Sequence, residues 1–79
     1  MLVMKIITNG PDKESLIKAF ADRHEVVMTL SNGKEERIVI NLLQHEDGSG
    51  HMFNFVAKGD IAGHYDTQKK EGFILLAEE

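Results

Sequence analysis

The stretch Glu25-Val26-Val27-Met28-Thr29-Leu30-Ser31-Asn32-Gly33-Lys34-Glu35-Glu36-Arg37-Ile38-Val39-Ile40-Asn41-Leu42-Leu43 decides the fold. On either side of Asn32-Gly33 its apolar residues recur at every second position, the period of a strand. Val26, Met28 and Leu30 point one way; Ile38, Ile40 and Leu42 continue that face after the turn. A two-residue Asn32-Gly33 turn would set Met28 opposite Arg37 and Leu30 opposite Glu35. A three-residue loop, Ser31-Asn32-Gly33 with Gly33 left-handed, sets Val26 opposite Ile38 and keeps the apolar sets together. A slip of one residue turns every side chain to the wrong face, so burial selects the three-residue loop.

The same reasoning carries downstream. Phe53, Phe55 and Ala57 join the apolar face through a loop of Asp47-Gly48-Ser49-Gly50, with Glu46 facing His51 and His45 facing Met52. A following loop of Lys58-Gly59-Asp60 sets Phe53 opposite Tyr65 and Phe55 opposite Gly63, an aromatic ring covering a strand glycine. A two-residue Gly59-Asp60 turn is the alternative. The last strand runs from Phe73 to Ala77 after the polar loop at 68–72.

Upstream, Leu2 to Thr8 reads as a strand, apolar on both faces apart from Lys5, and Asn9-Gly10-Pro11 ends it. Pro11 suits the first turn of a helix, and Asp12 and Glu14 suit its positive end. Leu16, Ile17 and Phe20 form a one-sided apolar stripe, edged by Lys13, Ala21 and Arg23, and about three turns fit before His24. The expected architecture is a single domain over residues 1–79 of the α+β class. One helix packs on a twisted antiparallel sheet of five to six strands in the order β-α-β-β-β-β-β, with a barrel as one way to close it. The helix crossover leaves the first strand free to pair in parallel with a neighbour.

A core of 79 residues supplies only modest net stability, and with no Cys there is no disulfide to reinforce it. Association with another copy is then a common support. A formal charge of -4 favours solubility and works against a broad phosphate-binding surface, so no DNA partner is expected. The first eight residues are too short for a membrane span and lack the basic stretch and cleavage site of a signal peptide, which points to the cytoplasm and to no membrane partner.

Three polar clusters bear on chemistry. His45, Glu46, Asp47 and His51 have the donor types of a zinc-like site, but the inferred register sends His45 and His51 to opposite faces, so no metal is expected. His64 and Asp66 share one face of a strand, where the carboxylate could orient the imidazole as a general base. They sit near no recognisable nucleophile motif. Gly48-Ser49-Gly50 is not followed by the Gly-Lys-Ser/Thr of a phosphate-binding loop, and no cofactor is expected.

The order of a helix, a strand ending Leu30-Ser31-Asn32-Gly33, and strands carrying Asp47 and then Met52-Phe53-Asn54 loosely resembles the small RNA-binding barrels of the Sm-like family over roughly residues 11 to 77. The resemblance implies a small barrel that binds single-stranded RNA. The family's compact Asp-x-x-Met-Asn pattern is spread out here and no residue role is carried over.

The leading expectation is a small soluble, non-catalytic interaction module that self-associates, most simply as a homodimer, and binds a macromolecular partner such as a protein. Its interface would use Val27, Val39, Leu43, Met52 and Val56, the apolar residues left on the second face of the sheet. An RNA-binding barrel is the first alternative, and a His/Asp or metal-dependent enzyme the second. Exposed Phe53, Phe55 and Tyr65 beside basic groups would favour RNA. Buried aromatics would favour the interaction module.

Overall fold

The computed structural model describes residues 1–77, and its strands form one sheet that is antiparallel throughout. In chain order they are β1 (Leu2–Asn9), then α1 (Lys13–Asp22), β2 (Glu25–Leu30), β3 (Glu35–Val39), β4 (Leu43–Glu46), β5 (Met52–Ala57), β6 (Asp60–Asp66) and β7 (Glu71–Ala77). Across the sheet the order is β3-β2-β1-β7-β6-β5-β4.

Seven strands replace the expected five to six because the run from Glu35 to Glu46 is not one strand. Its first half pairs with β2 and its second half with β5, and three strands lie between β2 and β5. The chain bends at Ile40-Asn41-Leu42 to serve both. Four Cα–Cα steps from Val39 to Leu43 span at most about 15 Å, so the two edges of the sheet must come back towards each other. The sheet is therefore curled into a half-barrel. At the bend, Ile40 is fully buried and its N–H reaches the His24 carbonyl at 3.3 Å.

The parallel pairing open to β1 is not found; β1 runs antiparallel to both β2 and β7. Helix length explains this. Ten residues of α1 rise about 15 Å, whereas the eight residues of β1 extend about 26 Å. The helix cannot carry the chain back to the start of β1, so β2 departs from the end where β1 stops. Asp12 caps the helix by accepting from the Ser15 N–H at 2.8 Å, which leaves Pro11 just outside rather than in the first turn. Leu16 and Ala19 are its buried residues and Phe20 packs against the core, while Ile17 is 44% exposed. The stripe thus follows 16, 19 and 20, one step around from the expected 16, 17 and 20.

The first hairpin has the expected register, with Val26 opposite Ile38 and Gly33 at φ 78 closing a three-residue loop. Phe53 lies opposite Tyr65 and Phe55 opposite Gly63, again as expected, but by another route. The turn is Lys58-Gly59, both left-handed at φ 53 and 83, and a bulge at Ala62 absorbs the extra residue. The hairpin between β4 and β5 is two residues out of the expected register. Glu46 faces Phe53 and His45 faces Asn54, with the tip at 48–51 closed by the Asp47 N–H on the Met52 carbonyl. A slip of two keeps each strand residue on its expected side.

Inside the half-barrel, Val26, Met28, Leu30, Ile38, Ile40, Phe53 and Phe55 are buried, joined by Ile7, Leu16, Ala19, Tyr65 and Ile74; Leu42 packs against them half-buried. The densest part is built on glycines. Gly63 lies under Phe55, and Gly72 lies opposite Tyr65, where a Cβ would strike the His64 carbonyl. A Cβ on Gly10 would enter the Tyr65 ring. That ring is fully buried and its hydroxyl donates to the Pro11 carbonyl at 2.6 Å, fixing the junction from β1 to α1. Burial, then Asp12 and Asp66, hold the phenol strongly in its neutral form.

Two substitutions test this junction by urea unfolding. Tyr65→Phe keeps the ring and removes the hydrogen bond, and is expected to cost about 1–2 kcal/mol, since the Pro11 carbonyl loses its partner. Gly10→Ala is expected to cost about 1–3 kcal/mol as an overpacking change, unlike Gly33→Ala, whose Cβ would meet nothing within 4 Å and whose cost is backbone strain alone.

Candidate functional site

Parity along the strands divides the half-barrel into an inner and an outer surface, and the outer one holds what the core does not use. On β1, Val3, Lys5 and Ile7 turn inward, while Leu2, Met4 and Ile6 turn outward and are 66%, 55% and 41% exposed. Register sets them opposite Ala77, Leu75 and Phe73 of β7, so an apolar stripe runs along the two central strands. Sequence reasoning left these residues out of the interface set. The misleading one is Lys5, which points inward, is only 17% exposed at its side chain, and pairs with Glu36 of β3 at 3.1 Å. The usable signal was that Leu2, Met4 and Ile6 form an uncharged face of their own.

All five residues of the expected interface lie on the outer surface. Val27, Val39 and Leu43 are exposed, whereas Met52 and Val56 are half-buried. They form two groups: Val27 and Val39 on β2–β3, and Leu43 directly opposite Val56 on β4–β5 with Met52 further along. The two groups lie at opposite edges of a curled sheet with the β1–β7 stripe between them, so no flat partner covers all three together.

The two ends of the half-barrel differ. One is closed by the helix. There Gly10 N–H bonds the Lys70 carbonyl at 3.0 Å, Thr67 N–H bonds the His51 carbonyl at 2.9 Å, and Lys13 Nζ reaches the Gly50 carbonyl at 2.9 Å and Glu46 at 3.6 Å. The other end opens into a cleft of ≈ 760 Å³. Leu42, Ala57 and Leu76 supply its apolar lining, β3 borders it from Glu36 to Val39, and Lys58 and Asp60 stand at its rim.

The candidate metal donors do not gather. His45 sits in an outer row beside Asn54, Glu46 is engaged by Lys13, and His51 lies near Asp47 and Asp66. Among the described residues no three His, Asp or Glu side chains share a metal-sized site. Ser49 ties the tip together instead: its hydroxyl donates to Asp47 at 2.6 Å and accepts from the Met52 N–H at 3.1 Å.

His64 and Asp66 do share the outer face of β6, but each has another occupation. The imidazole meets the Phe73 ring edge-on, with centroids 5.4 Å apart. The Asp66 carboxylate accepts from the Gln68 and Lys69 N–H groups at 2.9 and 3.2 Å. Those bonds, the Lys69 one first, hold its pKa below the usual carboxylate value. This is turn geometry, with both N–H groups on the one oxygen Oδ1.

No helix among the described residues is long and apolar enough to cross a membrane. Comparison with family models, with curated proteins and with solved structures finds no match.

The same turn chemistry sets a pH dependence. Asp12 and Asp47, like Asp66, have lowered pKa values, caused mainly by hydrogen bonds from Ser15 and Ser49 respectively. Groups depressed in the folded state contribute stability above their unfolded pKa of about 3.9 and lose it as pH falls through the folded values. Urea midpoints are therefore expected to be flat above pH ~5 and to fall steadily below pH ~4. Asp12→Asn, Asp47→Asn and Asp66→Asn should each make the acid limb shallower; an unchanged limb in all three would refute this origin.

Proposed function

We propose that this chain is a non-catalytic interaction module that self-associates and holds a protein partner on the outer surface of its half-barrel. The observation that carries the reading is a completed core beside a surplus of apolar surface. The inner face is filled by buried side chains, yet Leu2, Met4, Ile6, Val27, Val39, Leu43 and Ile61 remain more than two-fifths exposed. Scattered apolar residues are ordinary on a surface, but a stripe along two paired central strands is a contact surface in form.

The RNA alternative is weakened by the aromatics. Phe53, Phe55 and Tyr65 are 4%, 0% and 0% exposed, so none of them offers a face for a base to stack on. The enzymatic alternative is weakened by Asp66 serving its turn.

Magnitudes favour reversible attachment. Fully covering an apolar side chain contributes about 1.5–3 kcal/mol, so the half-exposed Leu2, Met4 and Ile6 offer about 1 kcal/mol each. Association costs at least about 4 kcal/mol in lost freedom. A stripe of this size holds a partner weakly unless directional contacts are added.

Sedimentation equilibrium from ~10 μM to ~1 mM, the range where −7 to −4 kcal/mol of binding is resolved, checks self-association. The expected weight-average mass starts near the 8.9 kDa of one chain and rises with concentration. A mass that stays at one chain across the range sinks the proposal.

A further inference from the structure

We infer that the second copy attaches by its β3 to the free edge of β3, antiparallel about a two-fold axis at Glu36, so that two half-barrel sheets join edge to edge. This rests on the self-association proposed above and names its surface.

The backbone phase comes first. Leu30 N–H bonds the Lys34 carbonyl at 2.9 Å and Ile40 N–H bonds the His24 carbonyl, with Val26 opposite Ile38 and Met28 opposite Glu36 between them. Even-numbered residues of β3 therefore turn their N–H and C=O groups towards β2. Glu35, Arg37 and Val39 turn theirs the other way, where β3 has no neighbouring strand among the described residues. The cleft borders the strand along Glu36–Val39, and Glu35, Arg37 and Val39 are exposed.

Side-chain charge then selects the register. An added antiparallel strand must set odd-numbered residues in hydrogen-bonded pairs with odd-numbered residues. An axis at Glu35 sets that carboxylate against its own copy, and an axis at Arg37 does the same for the guanidinium. An axis at Ile38 gives Arg37 only Val39. An axis at Glu36 sets Glu35 opposite the second copy's Arg37 on both sides of the axis. All these side chains lie on the exposed outer surface, and neither Glu35 nor Arg37 has an ion-pair partner among the described residues. In the same register Val39, 43% exposed, lies over the second copy's Gly33, around which a Cβ would meet nothing within 4 Å. Glu36 meets its counterpart on the inner side, each neutralised by its own Lys5.

Charges on an edge strand commonly deter pairing. Here like charges deter the registers centred on Glu35 and on Arg37, and of the four only the one centred on Glu36 matches Glu35 with Arg37. The β1–β7 stripe is left free for the protein partner.

The test is a charge exchange read by sedimentation equilibrium, with circular dichroism confirming that each variant is folded. E35R alone and R37E alone each place like charges opposite one another, and each is expected to weaken self-association about tenfold or more. An equimolar mixture of the two restores complementary pairs and should associate within about threefold of the original chain, as should the double variant E35R/R37E. Met4→Glu, on the stripe, should leave self-association unchanged. The inference is overturned if the single reversals have no effect or if the mixture fails to recover. Loss of association in Met4→Glu with none in the reversals would leave the module reading standing on the stripe alone. A chain that is monomeric throughout would remove both.

Discussion

Tyr65 is the side chain on which the rest of the arrangement turns. Its ring fills the space that Gly10 leaves empty, and its hydroxyl donates to the Pro11 carbonyl. That single contact fixes where β1 stops and α1 starts. The helix then has to lie across one end of the half-barrel, where Lys13 reaches the hairpin tip at Gly50. A buried phenol with a satisfied hydroxyl is both a large apolar volume and a directional tie. Because the ring comes from β6, the tie links the middle of the sheet to the only helix among the described residues.

Much of the inner surface was legible in the sequence because two constraints agreed there. Alternation assigned Val26, Met28, Leu30, Ile38 and Ile40 to one face, and burial rejected the register that mixed them with Arg37 and Glu35. Phe55 over Gly63 followed from pairing alone, even though the turn that produces it was not foreseen: Lys58 adopts a left-handed backbone that composition does not advertise. The break at Ile40-Asn41-Leu42 was hidden for a different reason. A strand that serves two partners keeps its alternation through the bend, so periodicity reads one element where pairing makes two.

The outer surface was less legible. Lys5 breaks the apolar run of β1 and so invites an outward placement, but its partner Glu36 lies thirty-one residues on and inside the curl. A charge whose counter-charge is distant in sequence cannot be assigned a side from its neighbours. With Lys5 turned inward, Leu2, Met4 and Ile6 are left outside, and the stripe appears. The candidate donors around the 47–51 tip show the converse. Asp47, Ser49 and Asp66 have the residue types of a reactive cluster, yet short-range bonds to their own backbone account for them.

The sheet order has a consequence in time. β1 is near the start of the chain and β7 near its end, yet the two are paired along most of their length, from Leu2 with Ala77 to Ile7 with Gly72. Until residues 71–77 exist, β1 lacks one of its two neighbours and Ile7 lacks part of its enclosure. The half-barrel therefore cannot assemble progressively from the N-terminus during synthesis; its centre is completed last. Such separation in sequence makes closure slow relative to helical domains of the same length. During that interval the exposed flank of β1 is an apolar edge open to any strand, and the cell meets this protein first in its most adhesive form.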